Sequence, residues 1–133
     1  MAVETPIFSL PGTLMAENDL STQQYKLVEL SDDSQVDVCD SSADKPIGVL
    51  QNDPDLGEQA EIMALGVTKI EAGSSIAAGM DIATNGSGQA VGVDQTSANA
   101  DLYVVGYMLK DVSAAGNVGT AVINCMPAIA TSS

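Results

Sequence analysis

The sequence predicts an all-β protein: a small β-barrel or β-sandwich of short antiparallel strands with an extended N-terminal arm. Short apolar runs separated by polar or glycine-rich breaks recur through the middle of the chain, which is the pattern of a β meander. Aromatic residues make up only 3% of the sequence, so small aliphatic side chains must fill the core. The central runs are residues 47–50, 60–70, 82–84 and 89–93.

Residues 1–18 carry apolar side chains without a helical or alternating period. Pro6 and Pro11 prevent continuous strand pairing there. Two interpretations stay open: a frayed terminus, or an arm that becomes ordered on a neighbouring subunit. The arm would make its contact through Ile7, Phe8, Leu10 and Leu14.

The next segment predicts a β-hairpin. Residues 25–30 read as a strand, residues 31–34 as a polar turn, and residues 35–40 alternate as a second strand. Val36 and Val38 would point inward.

Residues 58–71 form the most informative predicted strand. One set of alternate residues is small and suits a core face, whereas the other set is charged at its ends and apolar in its middle. A sheet face open to water should be polar throughout. We therefore expect Met63, Leu65 and Val67 to be covered, either by a second sheet of the same chain or by another protomer.

Residues 101–110 repeat this pattern and are apolar on both faces, as is the run 118–126. We expect Tyr103, Val105 and Tyr107, on one face of the first run, to lie in the core or in a protomer interface. The loops would be residues 94–100 and 111–117. The predicted domain organisation is an arm (1–18), one β domain (19–127) and a flexible C-terminal tail (128–133).

The charge balance excludes several classes of partner. The formal net charge is −14, there is no arginine, and only four lysines are present. Such a chain repels phosphate backbones and anionic membrane surfaces, so we expect neither nucleic acid nor membrane as a partner. The sequence shows no signal peptide and no apolar run of membrane-spanning length, which predicts a soluble protein made in a cytoplasm.

The candidate motifs for catalysis or cofactor binding are each incomplete in this sequence. The chain has no histidine, so a catalytic triad or a cysteine–imidazole pair is not available. The stretch 52–58 resembles a calcium loop but has glycine at the wrong position. A glycine rhythm from residue 72 to residue 82 resembles that of biotinyl and lipoyl carrier domains, but the hairpin tip 85–88 has no lysine. We expect no enzyme activity, cofactor, metal or small-molecule substrate, and we interpret Cys39 and Cys125 as buried thiols, although a disulfide between them is geometrically possible.

The ordered features resemble one known family. The segments Asp19-Leu20-Ser21, Gln24-Tyr25, 46–52 (PIGVLQN) and Gly57-Glu58-x-Ala60 are similar to capsid decoration, or cement, proteins of tailed bacteriophages, and the glycine steps from Gly66 to Ala90 continue the likeness. The resemblance covers residues 19–93. It implies a small β-barrel or β-sandwich, commonly trimeric, on the outside of the phage head.

Together these observations predict a virion structural protein on the capsid exterior, made in the host cytoplasm. It would decorate and stabilise the capsid by bridging neighbouring major capsid subunits, with the major capsid protein as partner and a homotrimer as its own assembly. Many weak contacts repeated over a shell would supply stability without a deep pocket. The alternative is a cell-surface or glycan-binding β module, against which the scarcity of aromatic residues argues.

Overall fold

The computed structural model describes residues 5–10, 13–93, 102–125 and 129–131, with the side chains of residues 5–8 and 129–131 excepted. These residues contain β-strands and turns and no helix, so the all-β prediction is confirmed, and no helix capable of crossing a membrane occurs among them. The strands are β1 (Thr5–Ser9), β2 (Met15–Ala16), β3 (Leu27–Asp32), β4 (Gln35–Val38), β5 (Gly48–Leu50), β6 (Ile62–Glu71), β7 (Asp81–Thr84), β8 (Ala90–Gly92), β9 (Leu102–Val104), β10 (Gly106–Met108), β11 (Val118–Asn124) and β12 (Ile129–Thr131).

Ten strands form one mixed sheet in the order β2-β4-β3-β5-β6-β11-β10-β7-β8, and β1 also pairs with β6. The β2–β4 pair is parallel, and β9 and β12 form a separate antiparallel pair. The sheet curls until β8 lies beside the end of β6, where the Gly73 amide donates to the Ala90 carbonyl at 2.8 Å and the Leu27 amide to the Gly88 carbonyl at 2.7 Å. This contact is an isolated bridge rather than a ladder, so the sheet does not close into a barrel.

The predicted hairpin is confirmed as β3 and β4, which pair antiparallel with Val36 buried. Successive residues of β3 point to opposite faces, as the two-residue period of a strand requires. Leu27 enters one apolar cluster and Val28 another. The larger cluster, here the main core, is enclosed by the curled strands. The smaller one, here the second core, contains Ala16, Leu20, Val28, Val36, Leu50, Ala60 and Ile62.

Strand β6 changes the face that it presents to the main core part-way along. Met63 and Ile70 both lie in that core although they are seven positions apart, and a regular strand would place them on opposite faces. The irregularity lies between them: β1 pairs with Met63 and Leu65 but skips the residue between, and Gly66 has φ of +143°. The two predicted faces of β6 therefore do not persist along its whole length.

The run 101–110 is not a single strand. Its first part forms β9 in the two-stranded sheet and its second part forms β10 in the large sheet, with Val105 between them. Because the strand is interrupted there, the predicted face is also interrupted: Val105 is buried, whereas Tyr107 is exposed. The predicted loop 94–100 lies outside the described residues.

Strands near both ends of the described part of the chain pair with other strands. Strand β1 lies against β6, and the Leu10 amide donates to the Ile62 carbonyl at 2.9 Å. Strand β2 pairs with β4, and Leu10 and Leu14 pack against the second core. Strand β12 lies within the segment predicted as a tail. The three-part division of the chain stays a prediction.

Candidate functional site

One face of β6, β11 and β10 carries apolar side chains away from the main core. Residues directly opposite one another in an antiparallel pair share a face, and here Tyr107 pairs with Val122, which pairs with Val67. These three side chains form a row across three strands. The apolar residues of this surface, which we call the outer face, are Leu65, Val67, Tyr107, Leu109, Val118 and Val122. The register of β6 and β11 places Lys69, Glu71, Thr120 and Asn124 on the same side of the sheet.

The outer face is partly open to solvent. Tyr107, Leu109 and Val118 are 43%, 44% and 45% exposed, and the other three members are half-buried. The opposite side of the same strands is fully covered, with Met108 and Ile123 at 0% exposure in the main core. A sheet with one face on the core normally carries polar residues on the other. The six apolar residues of the outer face depart from that rule and offer an apolar patch for protein contact.

A surface depression adjoins the outer face at the end of β10. Its volume is about 240 Å³, and Asp81, Val105, Gly106, Tyr107 and Asn124 are among the residues that line it. The lining is largely apolar with the Asp81 carboxylate beside it. Because of this depression, the surface beside the outer face is concave and not flat.

Polar contacts fix the opposite border of the outer face. The Lys26 ammonium lies 3.7 Å from the Glu71 carboxylate, which also accepts a hydrogen bond from Gln89 Nε2 at 2.7 Å. Lys69 Nζ lies 5.5 Å from the centre of the Tyr25 ring, within cation–π range. Neighbours from other segments of the chain hold these side chains in place, so the border is ordered.

Charge is distributed unevenly between the two halves of the chain. Residues 13–61 contain twelve of the 18 acidic residues and two of the four lysines. Residues 62–124 contain five acidic residues and two lysines, so this part of the chain is less acidic. The outer face lies on this less acidic part, where an acidic second copy meets less electrostatic repulsion than it would at residues 13–61.

Three carboxylates come together beside β3: the ligand atoms of Glu29, Asp40 and Asp44 lie within 4.8 Å of one another. Asp44 Oδ2 accepts hydrogen bonds from the Asp40 and Ser41 amides at 2.9 and 3.0 Å. Burial and the hydrogen bond with Asp44 raise the pKa of Glu29 to about 7. Burial opposes ionisation of Asp44 as well, but hydrogen bonds from Asp40, Glu29 and the backbone lower its pKa.

These oxygens are the ligand type that Ca²⁺ and Mg²⁺ use. Exposed carboxylates commonly cluster without a metal, however, and Asp44 is already engaged by backbone donors. We interpret these three side chains as an acidic cluster and not as a metal centre.

The structure separates five of the six predicted interface residues into two groups. Met63 and Val105 are buried in the main core, whereas Leu65, Val67 and Tyr107 belong to the outer face. Tyr103 is half-buried on β9.

Among the predicted arm contacts, Ile7 and Phe8 lie on β1, with their side chains outside the described part of the chain. Leu10 and Leu14 are half-buried against the second core.

Sequence reasoning did not single out Leu109, Val118 or Val122 as contact residues. The signal for Leu109 was present, because it alternates with Tyr107. Val118 and Val122 join the outer face only through the register of β11 against β6, which sequence alone does not provide.

Comparison with known proteins agrees with this architecture. The sequence profile of the phage cement protein family matches residues 14–124. The chain belongs to the phage cement protein family. It is therefore a structural protein associated with the phage capsid, and this membership argues against an enzymatic role.

Among solved structures, the N base of head fiber gp8.5 in bacteriophage phi29 is similar to this cement protein. The TM-score is 0.60 at 23% sequence identity, and the match covers 93% of this chain and 95% of the other. This likeness shows the fold. No curated protein matches the sequence.

Proposed function

We propose that this cement protein decorates the outside of a tailed-phage capsid as a homotrimer and stabilises the shell by bridging neighbouring major capsid subunits. The observation that supports the proposal is the partly exposed outer face on the less acidic part of a strongly acidic chain. Exposed apolar surface is unfavourable in a solvated monomer, whereas a protein that packs against copies of itself buries it.

In this proposal the outer face joins the three protomers, with Leu65, Val67 and Tyr107 in the contact. The arm residues Ile7 and Phe8 would add contacts to a neighbouring subunit. A trimer that touches several capsid subunits at once holds them together by multivalency, because the second and third contacts form at high effective concentration. The protein would be made in the host cytoplasm and join the head from outside.

The test uses phage heads that lack this protein. Purified chain is added to the heads, bound copies are counted after cosedimentation, and cryo-electron microscopy locates the added density. We expect trimeric density on the outer surface that spans adjacent capsid subunits, and retention of DNA during a heat challenge that empties heads without the chain.

Heads without added chain provide the control for the heat challenge. Density inside the shell, density confined to one capsid subunit, or equal DNA loss with and without the chain would each contradict the proposal.

A further inference from the structure

The connection between β5 and β6 is a closely hydrogen-bonded loop, residues 52–61, which we call the acidic loop. The Asn52 side chain joins its two ends: Nδ2 donates to the Gln59 carbonyl at 3.1 Å, and Oδ1 accepts from the Glu61 amide at 3.0 Å. At the tip, the Glu58 amide donates to the Asp55 carbonyl at 2.9 Å, and Glu58 Oε1 accepts from the Asp55 amide at 2.8 Å. The tip is therefore closed by reciprocal bonds.

Further bonds tie the acidic loop to the segment around β2. The Leu20 amide donates to the Pro54 carbonyl at 2.9 Å, and the Gly57 amide donates to the Ala16 carbonyl at 2.9 Å. The Ala16 amide in turn donates to the Glu58 carbonyl at 2.8 Å. A loop held in this way loses little conformational freedom when it binds a partner, which favours affinity.

This ordered loop presents an apolar side chain to solvent. Leu56 is 67% exposed, the highest value among the large hydrophobic residues that the structure describes, and Met15, paired with Gln59 at the base of the loop, is 40% exposed. A single exposed leucine on a flexible turn would need no explanation. Here the backbone on both sides of Leu56 is fixed, so its side chain projects from a defined position.

The surroundings of Leu56 specify the charge of a partner. Asp53, Asp55, Glu58 and Glu61 of the same loop are all exposed. Two acidic loops would repel each other, so a second copy of this chain does not fit the site. A protein surface that offers an apolar recess bordered by lysine or arginine does.

We propose that the acidic loop is a preformed docking element that inserts Leu56 into an apolar recess with a basic border on the major capsid protein. This inference rests on the proposed capsid function and identifies the surface that performs it. The site is separate from the outer face, which lies on β6, β10 and β11.

The experiment measures binding of the full chain to heads that lack it, by cosedimentation at several salt concentrations. Leu56→Ser should weaken binding about tenfold, which corresponds to burying the exposed part of one leucine. The matched control is Leu30→Ser, which removes a leucine that is 54% exposed on β3, and it should change binding less than about twofold. Added salt should weaken wild-type binding, and Asp53→Asn with Asp55→Asn should reduce that salt dependence.

Circular dichroism and the thermal midpoint establish that each variant is folded. If the wild type binds the heads and Leu56→Ser binds equally well, the docking element is wrong while the capsid function stands. Equal losses in Leu56→Ser and Leu30→Ser also overturn the docking element. If the wild type does not bind the heads at any salt concentration, the capsid function fails and the docking element fails with it.

Discussion

Removal of apolar side chains from the outer face should dissociate the protomers. The perturbation is Tyr107→Ser combined with Leu109→Ser. Full burial of a large apolar side chain contributes about 2 kcal/mol. Because Tyr107 and Leu109 are already more than half covered, at 43% and 44% exposure, the burial left for an interface contributes about 1 kcal/mol for each residue. The pair should therefore raise the dissociation constant about thirtyfold per subunit contact.

The assay is sedimentation equilibrium across a range of protein concentrations, with native mass spectrometry to count protomers. The wild type should be trimeric at concentrations where the double variant is largely monomeric. Leu30→Ser, which lies away from the outer face, should behave as the wild type does. An unchanged trimer in the double variant, or a wild type that is monomeric throughout, would refute the assignment of the outer face to self-association.

Three further predictions concern the folded chain. Gly106→Ala should lower the free energy of unfolding by about 3 kcal/mol, because the new Cβ would collide with a backbone carbonyl oxygen of β11. The control is Gly86→Ala, because a Cβ at that position would have its nearest neighbour at 3.6 Å. Equal denaturation midpoints for the two variants would contradict the reasoning. The pKa of Glu29 is raised from 4.5 to about 7, so its stabilising contribution is complete below pH 4.5 and is lost as the pH rises through 7. The stability of the wild type should therefore fall between pH 4.5 and pH 7, and Glu29→Gln should make this fall smaller by on the order of 1 kcal/mol after solvent screening. The measurement is the urea midpoint as a function of pH, and identical profiles for the variant and the wild type would refute this prediction. Burial raises the pKa of Cys125 to about 12 and also raises that of Cys39, so a thiol reagent near pH 8 should label neither until denaturant is added; rapid labelling of the native chain would show that the thiols are accessible.

The features that sequence predicted well are those set by neighbouring residues. The hairpin of β3 and β4 follows from two alternating runs around a polar turn, and Ser34 in that turn has φ of +58°. Of the five glycines in the breaks between the central apolar runs, Gly57, Gly79 and Gly88 have the positive φ that a chain reversal favours, whereas Gly73 and Gly86 do not. The apolar middle of β6 predicted that Met63, Leu65 and Val67 are covered. Met63 lies in the main core, and Leu65 and Val67 are two of the six residues of the outer face.

The features that sequence missed depend on contacts between distant residues. A two-residue period assumes an uninterrupted strand, so it could not show that β6 changes faces near Gly66 or that β9 and β10 separate at Val105. The pairing of β11 with β6 joins residues about fifty positions apart and has no local signature. That pairing assembles the outer face, and for this reason Val122 could not be recognised from the sequence.

The N-terminal segment illustrates the same limit from another direction. Its apolar residues, which follow no period, indicated that the segment makes an apolar contact, but they did not identify the surface that it contacts. Leu10 and Leu14 pack against the second core of their own chain, while the Leu10 amide extends the pairing with the start of β6. A terminal segment can bury its apolar residues within its own domain. The sequence alone does not distinguish that outcome from contact with a neighbouring subunit.

The uneven charge gives the two proposed contacts opposite responses to salt. The copies share a net charge of −14, so approach through the outer face is opposed by long-range repulsion, which dissolved ions screen. Self-association should therefore strengthen as salt is added. Docking of the acidic loop on a basic surface is an attraction between unlike charges, and the same ions weaken it. One salt titration that follows both trimer formation and head binding separates the two surfaces. Trimers that persist while the protein leaves the heads would support both assignments, and loss of the trimers as salt is added would contradict self-association through the outer face.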